Sequence, residues 1–299
     1  MRPLPRLPLV AILALSCLAS AVAGPLPTVG YPLPDLGPYL VPNELYPRYT
    51  LDGLRRADAT PGAVVSVGTE RGFMTFGVMT QATELLLVDY DPRAVLYNQV
   101  NIALLAVSSS LEDYLSLRNA TSKEQWLSAP GSEAYPVLRN DAAFAPWHDV
   151  HEYPAMMPFF LNARPRHEGN PFHGFHYPTS VPQYERLATA ARTGRITVGN
   201  LSFADHGNLE LLRGYFEDGG TSIAVLDLSN AASVWDLRKM RFDGRNGAEQ
   251  LRHIVEQLVP VMNSNAVLIT TEFNDGDRTL GNWEYTVTPC RQSLEPSGG

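Results

Sequence analysis

Apolar residues recur along this chain in two alternating rhythms, short β-branched runs and longer stretches with helical spacing. The run at 63–67 (Ala-Val-Val-Ser-Val) predicts a strand, breaks into Gly68-Thr69-Glu70-Arg71-Gly72, and is followed by helical spacing over 73–81. A second apolar run over 84–89 ends in Asp89, and Pro92 stands where the first turn of a helix tolerates proline, ahead of an amphipathic helix over 93–108. A polar, helical-looking stretch extends to about residue 138. The alternation resumes with a helix over 183–193 closed by Gly194, a strand over 195–199, a helix over 209–216 closed by Asp218-Gly219-Gly220, and a strand over 222–227. A helix over 247–262, a strand over 266–272 and an edge strand over 283–288 complete the series. Strands alternating with helices predict an α/β fold: a mostly parallel sheet covered on both faces, a three-layer sandwich.

The N-terminal quarter departs from that rhythm. Arg2 and Arg6, the apolar stretch 7–18 and Ala21-Val22-Ala23 have the order of an export signal over residues 1–24. Its apolar core is shorter than the ~20 residues that a span needs, so no stable membrane span is expected after cleavage. Residues 25–62 hold seven prolines between 25 and 47 and read as an extended arm, with a short helix over 51–59. The α/β domain then occupies 63–290, interrupted by a helical and lid insertion over 120–182, and 291–299 read as a disordered tail. The destination implied is secreted or periplasmic.

Composition narrows the partners. The formal charge is −8, and removing the two arginines of the signal takes it to −10. Such acidity argues against nucleic acid as the main partner. With Cys17 lost alongside the signal, Cys290 would be the sole cysteine, so the core must stabilise the fold without an intramolecular disulfide.

In open α/β sheets ligands bind beyond the carboxyl ends of the strands. The expected tips are 68–72, 89–91, 199–202, 227–230 and 272–274, and beside the glycine turn of the first the other four each carry Asp, Asn or Glu. Gly68 and Asp89 are 21 residues apart, close to the ~20 that separate a nucleotide-binding glycine turn from a carboxylate accepting the ribose hydroxyls. That spacing points to an adenosine-containing small molecule. Gly-x-x-x-Gly suits a dinucleotide less well, and no Gly-Lys-Ser/Thr phosphate loop follows the first strand.

These segments resemble the class I S-adenosylmethionine-dependent methyltransferases, whose fold is Rossmann-like. VVSVGTERGF is similar to their first motif, LLLVDYDPRAVLYN to the second, and ITVGNLSF to the third. The tip DLSN stands where amino-group methyltransferases carry an Asp/Asn-Pro-Pro-aromatic loop, and here both prolines and the aromatic are absent. The resemblance implies S-adenosylmethionine as cofactor, held by Gly68, Thr69, Glu70, Gly72, Asp89, Tyr90, Asn200 and Leu201. Within that set Gly68 would lie against the methionine part, Asp89 would hold the ribose, Tyr90 would pack on the adenine and Asn200 would meet its amine.

The insertion has its own character. Five of the seven histidines lie within 140–182, among Trp147, Tyr153, Phe159, Phe160, Phe172, Phe175 and Tyr177. An aromatic, proline-stiffened cover over the strand tips is expected, forming an apolar pocket for an unidentified acceptor. Asp227, Asn230, His148 and His176 are the candidates for accepting or orienting the acceptor's proton. His148-x-x-His151 and His173-x-x-His176 have spacings a metal uses, but no HExxH or Cys-His framework accompanies them, and no metal is expected. Two other readings stand beside transfer chemistry: a non-catalytic exported binding protein on the same scaffold, and, more weakly, a metal-dependent hydrolase built on the insertion.

Overall fold

The computed structural model describes residues 50–58, 60–152, 175–229, 231–232, 241–273 and 283–294. The expected signal, most of the arm, Asn230 and the insertion between 153 and 174 lie outside the described residues.

Six strands form one sheet: β1 Gly62–Val67, β2 Ala82–Asp89, β3 Ile196–Asn200, β4 Ile223–Ser229, β5 Met262–Phe273 and β6 Trp283–Pro289. Their order is β3-β2-β1-β4-β5-β6, parallel throughout except for β6, which pairs antiparallel with β5 at the edge. The direction of winding reverses between β1 and β4, which is the topological switch point where such sheets open a crevice. The fold is therefore the α/β, Rossmann-like three-layer sandwich expected from the alternation.

Nine helices are used below: α1 Leu51–Ala57, α2 Glu70–Val78, α3 Pro92–Val107, α4 Leu111–Arg118, α5 Lys123–Leu127, α6 Asp141–Glu152, α7 Val181–Arg192, α8 His206–Gly219 and α9 Gly247–Leu258. Successive strand residues point to opposite faces, and the core divides accordingly. Val64, Leu85 and Leu87 pack with Phe73, Phe76, Tyr97, Leu104 and Leu187 from α2, α3 and α7. Val65, Leu86 and Val88 pack with Leu209, Leu212, Phe216, Ile254 and Leu258 from α8 and α9. Each fully buried Leu or Val contributes roughly 1.5–3 kcal/mol of transfer free energy.

Local chemistry sets the helix boundaries. Asp91 caps α3 by accepting from Arg93 N at 2.9 Å, and Pro92 occupies the first turn. Asn246 and Glu249 form a reciprocal capping box on α9. Gly220, at φ +64°, ends α8 in the left-handed conformation that costs glycine least. One boundary difference concerns α2, which begins at Glu70 and not near Phe73. Gly72 thus belongs to the helix: a Cβ there would lie 2.5 Å from Leu87 Cδ2, so the glycine lets α2 press onto the sheet. At the C-terminal end Gln292–Leu294 form a 3₁₀ turn whose last carbonyl accepts from Arg252 Nη2 at 3.1 Å.

Candidate functional site

The tips of β1, β2 and β3 are stitched together by their own polar groups. Gly68, at φ +79°, turns the chain out of β1, and the space where its Cβ would stand is empty to 4 Å. Its N–H donates to Asp89 Oδ2 at 3.1 Å and its carbonyl accepts from Asn98 Nδ2 at 2.9 Å. Asp89 Oδ1 accepts from Asp91 N at 2.8 Å, which leaves Asp91, not Asp89, as the cap of α3. Burial pushes the Asp89 carboxyl up to about 6, with the nearby Asp91 adding to the shift and the backbone donors opposing it. One tip further along, Asn200 Nδ2 donates to the carbonyls of Asp89 at 2.9 Å and Tyr90 at 3.0 Å, while Leu201 N donates to Asp89 O at 3.1 Å. Tyr90 itself is 45% exposed. Gly68, Asp89, Tyr90, Asn200 and Leu201 are therefore brought into one contiguous region, with Thr69 as the N-cap residue of α2 beside it.

Glu70 and Arg71 are neighbours in sequence with separate, buried partners. Glu70 Oε1 accepts from Tyr97 Oη at 2.6 Å and from Arg118 Nη2 at 2.7 Å, and Oε2 accepts from Tyr177 Oη at 2.8 Å. Arg118 Nη1 reaches Tyr114 Oη and Tyr177 Oη, each at 2.8 Å. Trp147 closes the cluster, stacking on Tyr97 at 4.6 Å between centroids and donating Nε1–H to Arg118 O at 3.1 Å. Burial by itself would raise the Glu70 carboxyl, but the Arg118 charge and the phenolic donors outweigh it and hold the group below its ordinary value. The same burial pushes Tyr97 and Tyr177 well above the usual phenol range, and Tyr114 up to about 12. Both Glu70 oxygens are engaged by protein, so this carboxylate anchors the base of the glycine turn.

Arg71 crosses the switch point. Its Nε and Nη2 each donate to Asp227 Oδ2 at 3.1 Å, and its guanidinium lies over the Tyr285 ring, 4.7 Å from the centroid. Asp227 Oδ1 accepts from Ser229 N at 3.0 Å, and Ser229 takes φ +50°, a left-handed conformation uncommon for a non-glycine residue. The crevice between β1 and β4 is thus spanned by a buried ion pair. Of the candidate proton acceptors, Asp227 sits in this pair and His176 is buried beside Tyr177. His148 belongs to α6, where its side chain lies outside the described residues, as does Asn230.

The described flanks of the insertion contribute to the core. Trp147, Phe175 and Tyr177 are all fully or almost fully buried against α2 and α3. Asn98, Tyr97, Asn101, Tyr114 and Arg118 were not singled out from the sequence. The available signal was polar groups on the apolar stripe of α3, where Asn98 and Asn101 alternate with Val100, Ala103 and Leu104. Among the described residues no cluster of three metal-ligating side chains occurs, and no helix is long and apolar enough to cross a membrane.

A family model described as a domain of unknown function, DUF7790, matches residues 39–292. No curated protein matches the chain. Two structures of the rRNA methyltransferase aviRa from Streptomyces viridochromogenes are similar, both at 15% identity with a TM-score of 0.41. One likeness covers 93% of this chain and 95% of the other, and the second covers 92% of each.

Proposed function

We propose that this chain, which belongs to the DUF7790 family, binds an adenosine-containing small molecule at the tips of β1, β2 and β3, with S-adenosylmethionine the first candidate. The observation that supports this reading is the junction of Gly68 and Asp89: an open glycine turn and a carboxylate 21 residues apart meet at 3.1 Å on adjacent parallel strands. The Asp89 carboxylate accepts the backbone amides of Gly68, Tyr90 and Asp91, and of its roughly four lone-pair sites it keeps capacity for a ribose hydroxyl. Tyr90 offers an exposed ring to a base, and the empty space above Gly68 admits the rest of the ligand. Glu70 and Gly72 support the turn from below, through the Arg118 cluster and the helix–sheet contact.

S-adenosylmethionine would bring an activated methyl group on a sulfonium. The chain's part would be to fix that ligand at the strand tips and place an acceptor beside it, so that proximity supplies most of the rate. In that reading residues 1–24 direct export, and the acceptor is a secreted, periplasmic or surface molecule. Proton acceptance would fall to His148 or His176, with Asn230 orienting the acceptor, since Asp227 is committed to Arg71.

A second reading is favoured by the ion pair itself. Arg71 and Asp227 fill the β4 tip that would otherwise present groups to an acceptor. A non-catalytic binding protein on this scaffold would keep the Gly68–Asp89 site and lack turnover. Calorimetric titration of residues 24–299 with S-adenosylmethionine and S-adenosylhomocysteine, with Asp89→Ala alongside, tests both. Micromolar binding that Asp89→Ala abolishes supports the site. Absence of binding at millimolar ligand overturns it, and binding with no methyl transfer to any acceptor offered alongside selects the second reading.

A further inference from the structure

Asn98 is fully buried on α3, on the stripe that carries Ala94 and Leu105 into the core. Its Nδ2 donates to Gly68 O at 2.9 Å. Only that orientation of the amide works, because the flipped one would set two acceptor oxygens against each other. Its Oδ1 is buried and has no hydrogen-bond partner among the described residues. Asn101, one turn further on, shows the contrast. Its Nδ2 donates to Tyr177 Oη at 3.0 Å and its Oδ1 accepts from Tyr114 Oη at 2.6 Å, so both ends of that amide serve the Glu70–Arg118 cluster. An apolar residue at position 98 would suit the stripe without leaving a buried acceptor unsatisfied. What the asparagine adds in return is its bond to the glycine turn.

We propose that Asn98 is a positioning residue for the strand-tip site, locking Gly68 in the conformation that keeps its amide on Asp89; as a role in binding, this rests on the reading of those tips as an adenosine-ligand site. Gly68 N belongs to the peptide unit shared with Val67, and Gly68 O to the unit shared with Thr69. Asp89 Oδ2 holds the first at 3.1 Å from β2, and Asn98 Nδ2 holds the second at 2.9 Å from α3. The two bonds therefore fix both rotations about the Gly68 Cα. Glycine is the residue that needs such fixing most, since at φ +79° it has the widest choice of other conformations. Without the Asn98 donor, the carbonyl of this half-buried residue turns to water and takes the amide off Asp89. A turn already held in place spares the ligand the cost of ordering it. Releasing the lock should weaken binding about tenfold, the scale of fixing one residue's backbone.

The test compares residues 24–299 with Asn98→Leu and Asn98→Ala in the same chain. Each is titrated calorimetrically with S-adenosylmethionine and unfolded thermally. The Asp89 carboxyl is titrated by carbon NMR, its signal assigned through Asp89→Asn. Both variants should fold and bind about tenfold more weakly. The Gly68 amide holds the Asp89 titration down, so its midpoint should move upward in both. A side chain that merely fills the core would change the unfolding temperature and leave affinity and midpoint where they were, which overturns the proposal. Loss of the fold in both variants overturns it too. If the native chain binds no S-adenosylmethionine at millimolar concentration, the reading of the site fails. The Asp89 titration needs no ligand, and in that case it still decides whether Asn98 holds the turn.

Discussion

Arg118 Nη2 lies 2.7 Å from Glu70 Oε1, although the two residues are 48 positions apart and neither side chain reaches solvent. Around them Tyr97, Tyr114, Tyr177 and Asn101 add further hydrogen bonds, so the pair ties the first turn of α2 to α3, α4 and the segment entering α7. A buried charge costs several kcal/mol to desolvate, and its partner offsets that cost only while both are present.

Removing one partner should consequently be worse than removing both. Glu70→Leu or Arg118→Met alone is expected to cost about 3–5 kcal/mol, while the double variant should lose clearly less than the sum. Urea unfolding of the four proteins measures the coupling. Strict additivity would mean that the pair contributes nothing as a pair.

The two glycines of the first turn should respond differently to alanine. At Gly72 an added Cβ meets Leu87 Cδ2 at 2.5 Å and Ser66 Cβ at 3.0 Å, so overpacking should cost roughly 1–3 kcal/mol. At Gly68 nothing lies within 4 Å and only the φ of +79° resists, a cost of about 1 kcal/mol. Thermal unfolding should rank Gly72→Ala as the less stable of the two. If Gly68→Ala proves neutral in stability, its effect on ligand affinity reports access to the turn directly.

Asp89 makes the proposed site pH-dependent. Its carboxyl sits at about 6 in the fold against an ordinary 3.8, so the folded state holds the proton more tightly than the unfolded chain. The sign follows: Asp89 favours folding below pH 4, and that contribution is lost as pH rises from about 4 to 6. Ribose hydroxyls need the ionised form as acceptor, so adenosine-ligand affinity should rise across the same window. Chemical denaturation and calorimetry at pH 5 and 7.5, compared with Asp89→Asn, isolate this group. Identical pH profiles in the two proteins would exclude it as the titrating residue.

Cys290 should behave as an inert thiol. It is buried between β5 and the C-terminal turn, its N–H donating to Ala266 O at 2.8 Å, and burial pushes its thiol up to about 12. An Ellman-type reagent at pH 8 should leave folded residues 24–299 unlabelled and modify one thiol on unfolding. Rapid native labelling would show that the edge formed by β6 opens easily.

The alternation of apolar rhythms was enough to read the α/β class, the order of the strands in sequence and the edge position of the last one. Those features rest on local periodicity, because a parallel strand buried on both faces must be apolar throughout and a covering helix must be amphipathic. The Gly68–Asp89 relationship was legible for a similar reason: one βαβ unit sets the spacing between adjacent strand tips. Asp91 as the cap of α3 was equally local. What the tertiary structure alone decided is where each polar side chain finds its partner. Glu70 and Arg71, adjacent in the chain, diverge to Arg118 and Asp227, and Gly72 joins α2 and lets it pack closely on the sheet. Buried charges are satisfied by whichever opposite group the packed layers bring within 3 Å or so, and no periodicity in the sequence encodes a contact across 48 or 156 residues.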